Sequence, residues 1–282
     1  MSISKTPPKL ALPPPMPYID GILDHIAHGD SEADVLWERH LHWGYWDDPS
    51  MAKGTTADYV VAAERLAQLV FDAAMITDGM HVIDCGCGVG GAVASLNERF
   101  SNVRLTGVNI DERQLAVARE RVKAEPSNMV DFVCANACYL PFESESADAV
   151  TALECIFHFP SRVRFMKEVR RVLRPGGRLA ITDVVPLAPA MPLLARAYFS
   201  LGFYGKTNLL PAPMIAYQLL TRVLSMPIRD DVDITKETLP TFDVLGRYFG
   251  GIAPEGRGQT ELLAKIFRRG LMRYRLMSFE KT

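Results

Sequence analysis

Residues 81–91 read HVIDCGCGVGG, an apolar run that reaches an acid and passes directly into a glycine-rich turn. The apolar residues before Asp84 predict a buried strand. Glycines at positions 86, 88 and 91 fit the spacing G-x-G-x-x-G, which lets a strand turn tightly into a helix and brings the backbone close to a ligand. The helix after such a turn offers free N–H groups to an anion. The stretch therefore predicts the first strand–turn–helix unit of a doubly wound α/β fold.

The alternation of strands and helices continues downstream of this turn. It indicates a parallel sheet with helices on both faces. Two later strands would complete a Rossmann-like sheet of seven strands, with an N-terminal helical segment and a helical substrate cap added to it. The predicted strands are residues 81–84, 103–109, 130–134, 147–153, 178–184, 228–234 and 272–280. The predicted helices are residues 19–28, 58–76, 91–100, 111–123, 161–173, with Ser161 as the cap, and 261–270.

Composition shifts along the chain divide it into five predicted segments. A proline cluster marks a disordered leader, and an apolar stretch rich in proline and aromatic residues interrupts the sheet pattern. The segments are a leader (1–17), a helical lid segment (18–76), a ligand-binding core (77–185), a substrate cap (186–227) and the completion of the core sheet (228–282).

The charge balance and the apolar segments limit the kinds of partner. The 282 residues carry 31 Lys and Arg against 33 Asp and Glu, which is not the basic footprint that nucleic-acid binding requires. The apolar stretch 184–205 contains prolines and Arg196, so integral membrane association is not expected. The N-terminus lacks a signal-peptide pattern and the cysteine count is odd, which favours a cytoplasmic location.

Four of the five cysteines form close pairs that invite a zinc interpretation. Cys85 and Cys87 form a C-x-C pair, and Cys134 and Cys138 form a C-x3-C pair. Structural zinc sites normally use matched C-x2-4-C pairs on turn-forming loops, whereas these thiols lie at apolar strand ends. We therefore expect small buried apolar side chains and no metal.

The glycine loop alone does not separate two kinds of cofactor. The same spacing occurs in nicotinamide oxidoreductases, where the turn binds a pyrophosphate. Other features favour a methyltransferase: Asp84 directly before the turn, the element Leu140-Pro141-Phe142 after the third strand, Pro175-Gly176-Gly177 before the fifth, and about 80 residues of helical leader before the loop.

The core resembles class I S-adenosylmethionine-dependent methyltransferases of the small-molecule type. Residues 82–88 are similar to their first motif, 107–111 to the second, 135–142 to the third, and 171–177 to the element before strand five. The resemblance implies S-adenosyl-L-methionine as cofactor and S-adenosyl-L-homocysteine as product. The residues that it implies for cofactor binding are Asp84, Gly86, Gly88, Asn109, Ile110, Gln114, Asn136, Ala137, Leu153 and Tyr45.

Two of these positions depart from the family pattern. Asn109 and Asn136 stand where many relatives have acids. The resemblance implies that Asn109 bonds the ribose hydroxyls without the help of a charge. It also implies that the side-chain carbonyl of Asn136 accepts from the adenine amino group.

The segment around residues 36–46 resembles the entrance segment of tocopherol, sterol, isoprenyl and natural-product methyltransferases. It includes His42, Tyr45 and Trp46, which would cover the methionine end of the cofactor. Alternatively, these rings would form an aromatic cluster that packs the leader onto the core.

Three residues are candidates for catalysis. Glu154 and His158 follow the fourth strand at the edge where doubly wound folds bind ligands, and their i, i+4 spacing would place them on one helical turn. By resemblance, His158 would act as the base in oxygen methylation, and Glu154 would act as the base or stabilise a cation in carbon methylation. Asp183, at the end of the fifth strand, would orient that base.

The composition of the cap favours a lipophilic acceptor such as an isoprenoid or polyketide-like metabolite. Its apolar side chains would also suit a homo-oligomer seam. A cyclase that uses the bound cofactor as a scaffold, and a nicotinamide oxidoreductase, remain alternatives. The cap residues in question are Leu193, Leu194, Tyr198, Phe199, Phe203, Tyr204, Leu209, Met214 and Tyr217.

Overall fold

The computed structural model describes residues 15–28, 35–187, 202–205, 207 and 214–282. Most of the predicted leader and the cap residues Leu193, Leu194, Tyr198, Phe199 and Leu209 lie outside the described residues.

The described chain forms one mixed sheet of seven strands in the order β3-β2-β1-β4-β5-β7-β6. β1 to β5 run parallel, and β7 pairs antiparallel with both β5 and β6. All seven predicted strands are present, and the α/β fold is confirmed. The strands are β1 (His81–Cys85), β2 (Arg104–Asn109), β3 (Met129–Cys134), β4 (Ala147–Ala152), β5 (Leu173–Pro186), β6 (Ile228–Asp233) and β7 (Met272–Glu280).

Nine α-helices accompany the sheet within the described ranges. Ser161 caps α5 as predicted, because its hydroxyl accepts a hydrogen bond from the Arg164 N–H at 3.2 Å. The helices are α1 (Pro17–His28), α2 (Thr56–Ala73), α3 (Gly91–Arg99), α4 (Glu112–Arg121), α5 (Arg162–Val172), α6 (Met214–Val223), α7 (Thr235–Thr238), α8 (Thr241–Ile252) and α9 (Pro254–Arg268).

The C-terminal part differs most from the prediction. β5 begins at Leu173 rather than Arg178, because Leu173 pairs with Ala147 and the Gly176 N–H donates to the carbonyl of Lys281. The sequence pattern also did not predict α8, which contains three glycines. It predicted the start of the next helix at residue 261, whereas α9 begins at Pro254.

The central strands are buried, and the order of the strands in the sheet indicates where a ligand would bind. The neighbours β1 and β4 head the two halves of the sheet, since β2 and β3 follow β1 on one side and β5 follows β4 on the other. A crevice forms outside the carboxyl ends of the strands at such a switch point. α1 packs across this end, with the Tyr18 ring 5.7 Å from Tyr204 and 6.3 Å from Phe249, centroid to centroid.

Candidate active site

A cavity of about 620 Å³ opens at the switch point between β1 and β4. Nine of the ten predicted cofactor residues line it, Tyr45 being the exception, and so do Glu154 and His158. The cavity is large enough for a small molecule of drug size. The predicted residues on its wall are Asp84, Gly86, Gly88, Asn109, Ile110, Gln114, Asn136, Ala137, Leu153, Glu154 and His158.

The glycine loop fits closely between two other segments. Gly86 has φ +76°, and a Cβ there would stand 2.6 Å from the side chain of Cys155. At Gly91 a Cβ would stand 2.0 Å from the carbonyl oxygen of Arg39. Only glycine permits this backbone shape and these approaches. The loop is therefore held between the segment after β4 and residues 35–46, which we name the entrance segment.

Asp84 presents a buried carboxyl to the cavity. One oxygen accepts a hydrogen bond from the Thr151 hydroxyl at 2.7 Å. Burial raises the pKa of Asp84 to about 6, although the Thr151 bond acts in the opposite direction. A cation that bound beside this carboxyl would favour its ionised form.

The two asparagines at the ends of β2 and β3 support their own turns. The Asn109 side-chain oxygen accepts from the Ile110 N–H at 2.7 Å, and the Asn136 oxygen accepts from the Cys138 N–H at 2.9 Å. The Asn136 oxygen has a second lone pair and can also accept from a ligand, whereas the Asn109 oxygen also accepts from the Asp111 N–H at 3.3 Å and uses both of its lone pairs. The turn bonds explain how neutral amides fit at these positions.

Glu154 connects the end of β4 to the entrance segment. Its carboxylate accepts a hydrogen bond from the Trp43 N–H, and its own N–H donates to the Thr182 hydroxyl at 2.8 Å. The residue has φ +50°, a left-handed conformation that costs a non-glycine residue energy and often marks a functional site. Burial raises the pKa of Glu154 well above its usual range, although the hydrogen bond from the Trp43 N–H acts in the opposite direction.

His158 ends a short 3-10 helix, Ile156–His158, which begins two residues after Glu154 in the chain, and it lines the same cavity. Its Nε2 lies 3.4 Å from the hydroxyl of Tyr18, which the sequence did not indicate as a site residue. The prediction that Glu154 and His158 share one helical turn is wrong, because Glu154 precedes this helix in a left-handed conformation. Both side chains nevertheless reach the cavity.

Asp183 does not orient either candidate base. Both of its oxygens bind the guanidinium of Arg162, at 2.8 and 3.0 Å, and the Tyr217 hydroxyl donates to it at 2.6 Å. All three residues are buried and away from the cavity lining. This contact joins α5, β5 and the cap helix α6, so Asp183 serves the architecture.

Two aromatic residues of the entrance segment also lie off the cavity. Tyr45 is half-buried, and its N–H donates to the carbonyl of Ala62 on α2. The indole N–H of Trp46 donates to Asp58 at 3.0 Å. Neither ring is part of the cavity wall, and the Trp46 bond packs the entrance segment against α2. His42, in contrast, lines the cavity, as does its neighbour His40, which the sequence analysis did not select.

The cavity suits S-adenosylmethionine on its own features. A buried acid matches an ammonium group, the glycine turn leaves space for a ligand against its backbone, and two buried imidazole nitrogens have no partner within the described residues, Nδ1 of His40 and Nε2 of His42. Buried polar atoms are normally bonded, so these two indicate a ligand.

Comparison with known proteins decides the family. A methyltransferase domain family matches residues 83–181. A methyltransferase of Streptomyces halstedii is 34% identical over 231 residues, covering 79% of this chain and 81% of the relative. The chain belongs to the S-adenosylmethionine-dependent methyltransferases. This membership excludes the nicotinamide oxidoreductase alternative.

Two further proteins agree with this family. The 27-O-demethylrifamycin SV methyltransferase of Amycolatopsis mediterranei is 32% identical and covers 88% of each chain. A solved geranyl diphosphate C-methyltransferase from Streptomyces coelicolor, in complex with S-adenosyl-L-homocysteine, superposes with a TM-score of 0.73 and 19% identity over 95% of this chain and all of its own. The methyltransferase uses S-adenosylmethionine as cofactor and a small metabolite as acceptor.

Three further findings concern membrane spans, thiols and metals. No helix in the described part of the chain is long and apolar enough to cross a membrane. The cysteines are free thiols, four buried and Cys134 partly exposed, as expected for apolar packing. Among the residues with assigned structure, no three His, Cys, Asp or Glu form a group suited to a metal.

The Asp84 carboxyl predicts how cofactor affinity depends on pH. With a pKa near 6 it is largely neutral at pH 5 and ionised at pH 7, and only the ionised form pairs with an ammonium. We expect S-adenosylhomocysteine to bind about tenfold more weakly at pH 5 than at pH 7, as one group titrating between these values requires. Isothermal titration calorimetry at both pH values measures this difference.

The control ligand is 5′-methylthioadenosine, which lacks the amino-acid portion and should bind equally at both pH values. Asp84→Asn should bind S-adenosylhomocysteine weakly and without this pH dependence. A tenfold dependence that persists in Asp84→Asn would show that another group titrates.

Proposed function

We propose that this methyltransferase transfers the methyl group to a hydroxyl oxygen of a lipophilic metabolite, with His158 as the general base. The observation that carries the proposal is the position of His158 on the cavity wall, with Tyr18 beside its Nε2. An alcohol must lose a proton when it is methylated, and a histidine is the side chain that most often accepts one.

Glu154 is the weaker candidate for the base. A base must be ionised before it reacts, and burial disfavours the ionised form of Glu154 because it raises the pKa of the carboxyl. The bond from the Trp43 N–H gives Glu154 a different role, which is to fix the entrance segment against the end of β4. This division of roles supports oxygen over carbon as the acceptor atom.

Bound S-adenosylmethionine supplies a methyl group that is already activated by its sulfonium, so the protein mainly has to position the two reactants. In our proposal Asp84 pairs with the ammonium group, and Asn109, Asn136 and Gln114 bind the adenosine. His158 then holds the acceptor hydroxyl and takes its proton.

An aromatic cluster packs beside His158 and favours a lipophilic acceptor, and one of its members, Tyr18, lines the cavity. Tyr18, Phe203, Tyr204 and Phe249 pack against one another at this end of the molecule, with centroid distances of 5.2–6.4 Å. Aromatic side chains offer large apolar faces with few polar groups. The Amycolatopsis relative is named for O-methylation of a rifamycin, which agrees with a polyketide-like acceptor.

Pairs of candidate substrates, with and without a hydroxyl group, test whether oxygen is the atom that receives the methyl group. A panel of hydroxylated polyketides and terpenoids, each with its deoxy analogue, is incubated with methyl-labelled S-adenosylmethionine and analysed by mass spectrometry and NMR. We expect label in at least one hydroxylated compound, as a methyl ether, and none in its deoxy analogue. A labelled C-methyl product would refute oxygen methylation, and an unlabelled cyclised isomer would instead support the cyclase alternative.

Three expectations stay predictions of the sequence. They are the five-segment division, with residues 18–76 as a lid, a cytoplasmic location, and a homo-oligomer formed through the cap or the N-terminal segment. Size-exclusion chromatography with light scattering measures the oligomeric state.

A further inference from the structure

His40 and His42 lie side by side under the glycine loop, and the proposed reaction uses neither. Their ring centroids are 4.5 Å apart, both residues are more than nine-tenths buried, and both line the cavity. Each ring uses one nitrogen within the protein and leaves the other without a partner among the described residues. A pair of unpartnered nitrogens in a ligand cavity indicates direct ligand contact.

The hydrogen bonds define which nitrogen of His42 carries the proton. Its Nδ1 lies 2.9 Å from the carbonyl oxygen of Trp43, which only accepts, so Nδ1 is the donor. Burial, aided by the neighbouring His40, lowers the pKa of His42 to about 3 and keeps the ring neutral. Nε2 is therefore a hydrogen-bond acceptor with no partner among the described residues.

His40 also has a neutral ring with one nitrogen that can accept, but different contacts determine which nitrogen this is. Its Nε2 lies 2.9 Å from a carboxylate oxygen of Glu64, which also accepts from the Ser95 hydroxyl at 2.7 Å. Despite some desolvation, bonds from His40 and Ser95 lower the pKa of Glu64 to about 2, so it is ionised and His40 Nε2 must donate. Burial lowers the pKa of His40, so its ring is neutral and Nδ1 is an acceptor.

Two lone pairs select the kind of group that binds. Acceptors repel a carboxylate or a phosphate and attract a group with several N–H donors. Asp84 adds an acid to the same cavity. His40 is also close to the glycine loop, because a Cβ on Gly91 would stand 2.8 Å from its Nδ1. These acceptors together match an ammonium group held against the loop.

We propose that His42, supported by His40 and Glu64, accepts a hydrogen bond from the α-ammonium of the cofactor through Nε2. The inference concerns cofactor binding alone, so it does not depend on the acceptor or on the base. In this arrangement the entrance segment supplies part of the cofactor site, and its Trp43 N–H couples that site to Glu154.

Isothermal titration calorimetry with two ligands tests the proposal. For His42→Leu we expect affinity for S-adenosylhomocysteine to fall about 10- to 100-fold, as for a lost hydrogen bond to a charged group, while 5′-methylthioadenosine binds as in the wild type. His42→Gln keeps an acceptor and should restore part of the loss. His28→Leu, at the exposed end of α1, is the matched control and should change neither affinity.

Equal losses for both ligands, or no loss for S-adenosylhomocysteine, would overturn the proposal. A raised KM for the acceptor with unchanged S-adenosylhomocysteine affinity would overturn it too, because His42 would then bind the acceptor hydroxyl. If His42→Leu does not fold, the wild type still gives a decision by 15N NMR. The resonance of the unprotonated Nε2 should move upfield when S-adenosylhomocysteine is added and not when 5′-methylthioadenosine is added, and an unmoved resonance contradicts the contact.

Discussion

Replacing His158 with alanine should lower kcat by about 10²- to 10⁴-fold, the usual contribution of a general base. The affinity for S-adenosylhomocysteine should change little, because the residues that we assign to the cofactor are elsewhere on the wall. Single-turnover kinetics with saturating cofactor measure the chemical step directly. Tyr18→Phe, which removes only the hydroxyl beside Nε2, should give a smaller decrease.

Glu154→Gln is the matched comparison for this prediction. Glutamine keeps an oxygen that accepts from the Trp43 N–H and resembles the neutral carboxyl that burial favours. We therefore expect nearly normal turnover. If Glu154→Gln abolishes turnover while His158→Ala remains active, then Glu154 is the base and carbon methylation is favoured.

The second large effect concerns stability. Asp183→Asn should lower the free energy of unfolding by about 3–5 kcal/mol, because it removes the negative charge that pairs with the buried Arg162 guanidinium. Burial alone would lower the pKa of Arg162, but the charge and hydrogen bonds of Asp183 raise it above its usual value. An arginine guanidinium stays protonated in proteins, so the cation persists in the variant. Urea denaturation, followed by circular dichroism, measures the loss.

Two variants separate the charge from the hydrogen bond. Tyr217→Phe removes one hydroxyl and should cost only about 1 kcal/mol. The double variant Arg162→Met with Asp183→Leu removes both charges and should recover much of the stability. If Asp183→Asn unfolds like the wild type, this ion pair does not hold α5, β5 and α6 together.

Local patterns predicted the sheet because each strand carries its own signal. The run before Asp84 is apolar and ends in glycines, and the same alternation repeats through β5. β5 itself extends to Leu173, through a Pro-Gly-Gly turn that reads as a helix stop. Its extra residues are held by β4 and by the C-terminal Lys281, contacts between distant positions that no local pattern contains.

The site was predictable where it follows the strands. Nine cofactor residues reach the cavity because parallel strands bring their carboxyl ends to one edge. Asp183 also ends a strand, but the partners that bind it, Arg162 and Tyr217, are 21 and 34 positions away. Tyr18 reaches His158 across 140 positions. Such pairs depend on helix packing rather than on sequence spacing.

A crystal structure of the protein with S-adenosylhomocysteine tests the central claim most directly. We predict the amino group beside Asp84 and His42, the adenosine beside Asn109 and Asn136, and His158 facing the end from which the methyl group leaves. A ligand bound in the reverse orientation, or away from the glycine loop, would contradict this assignment of the site.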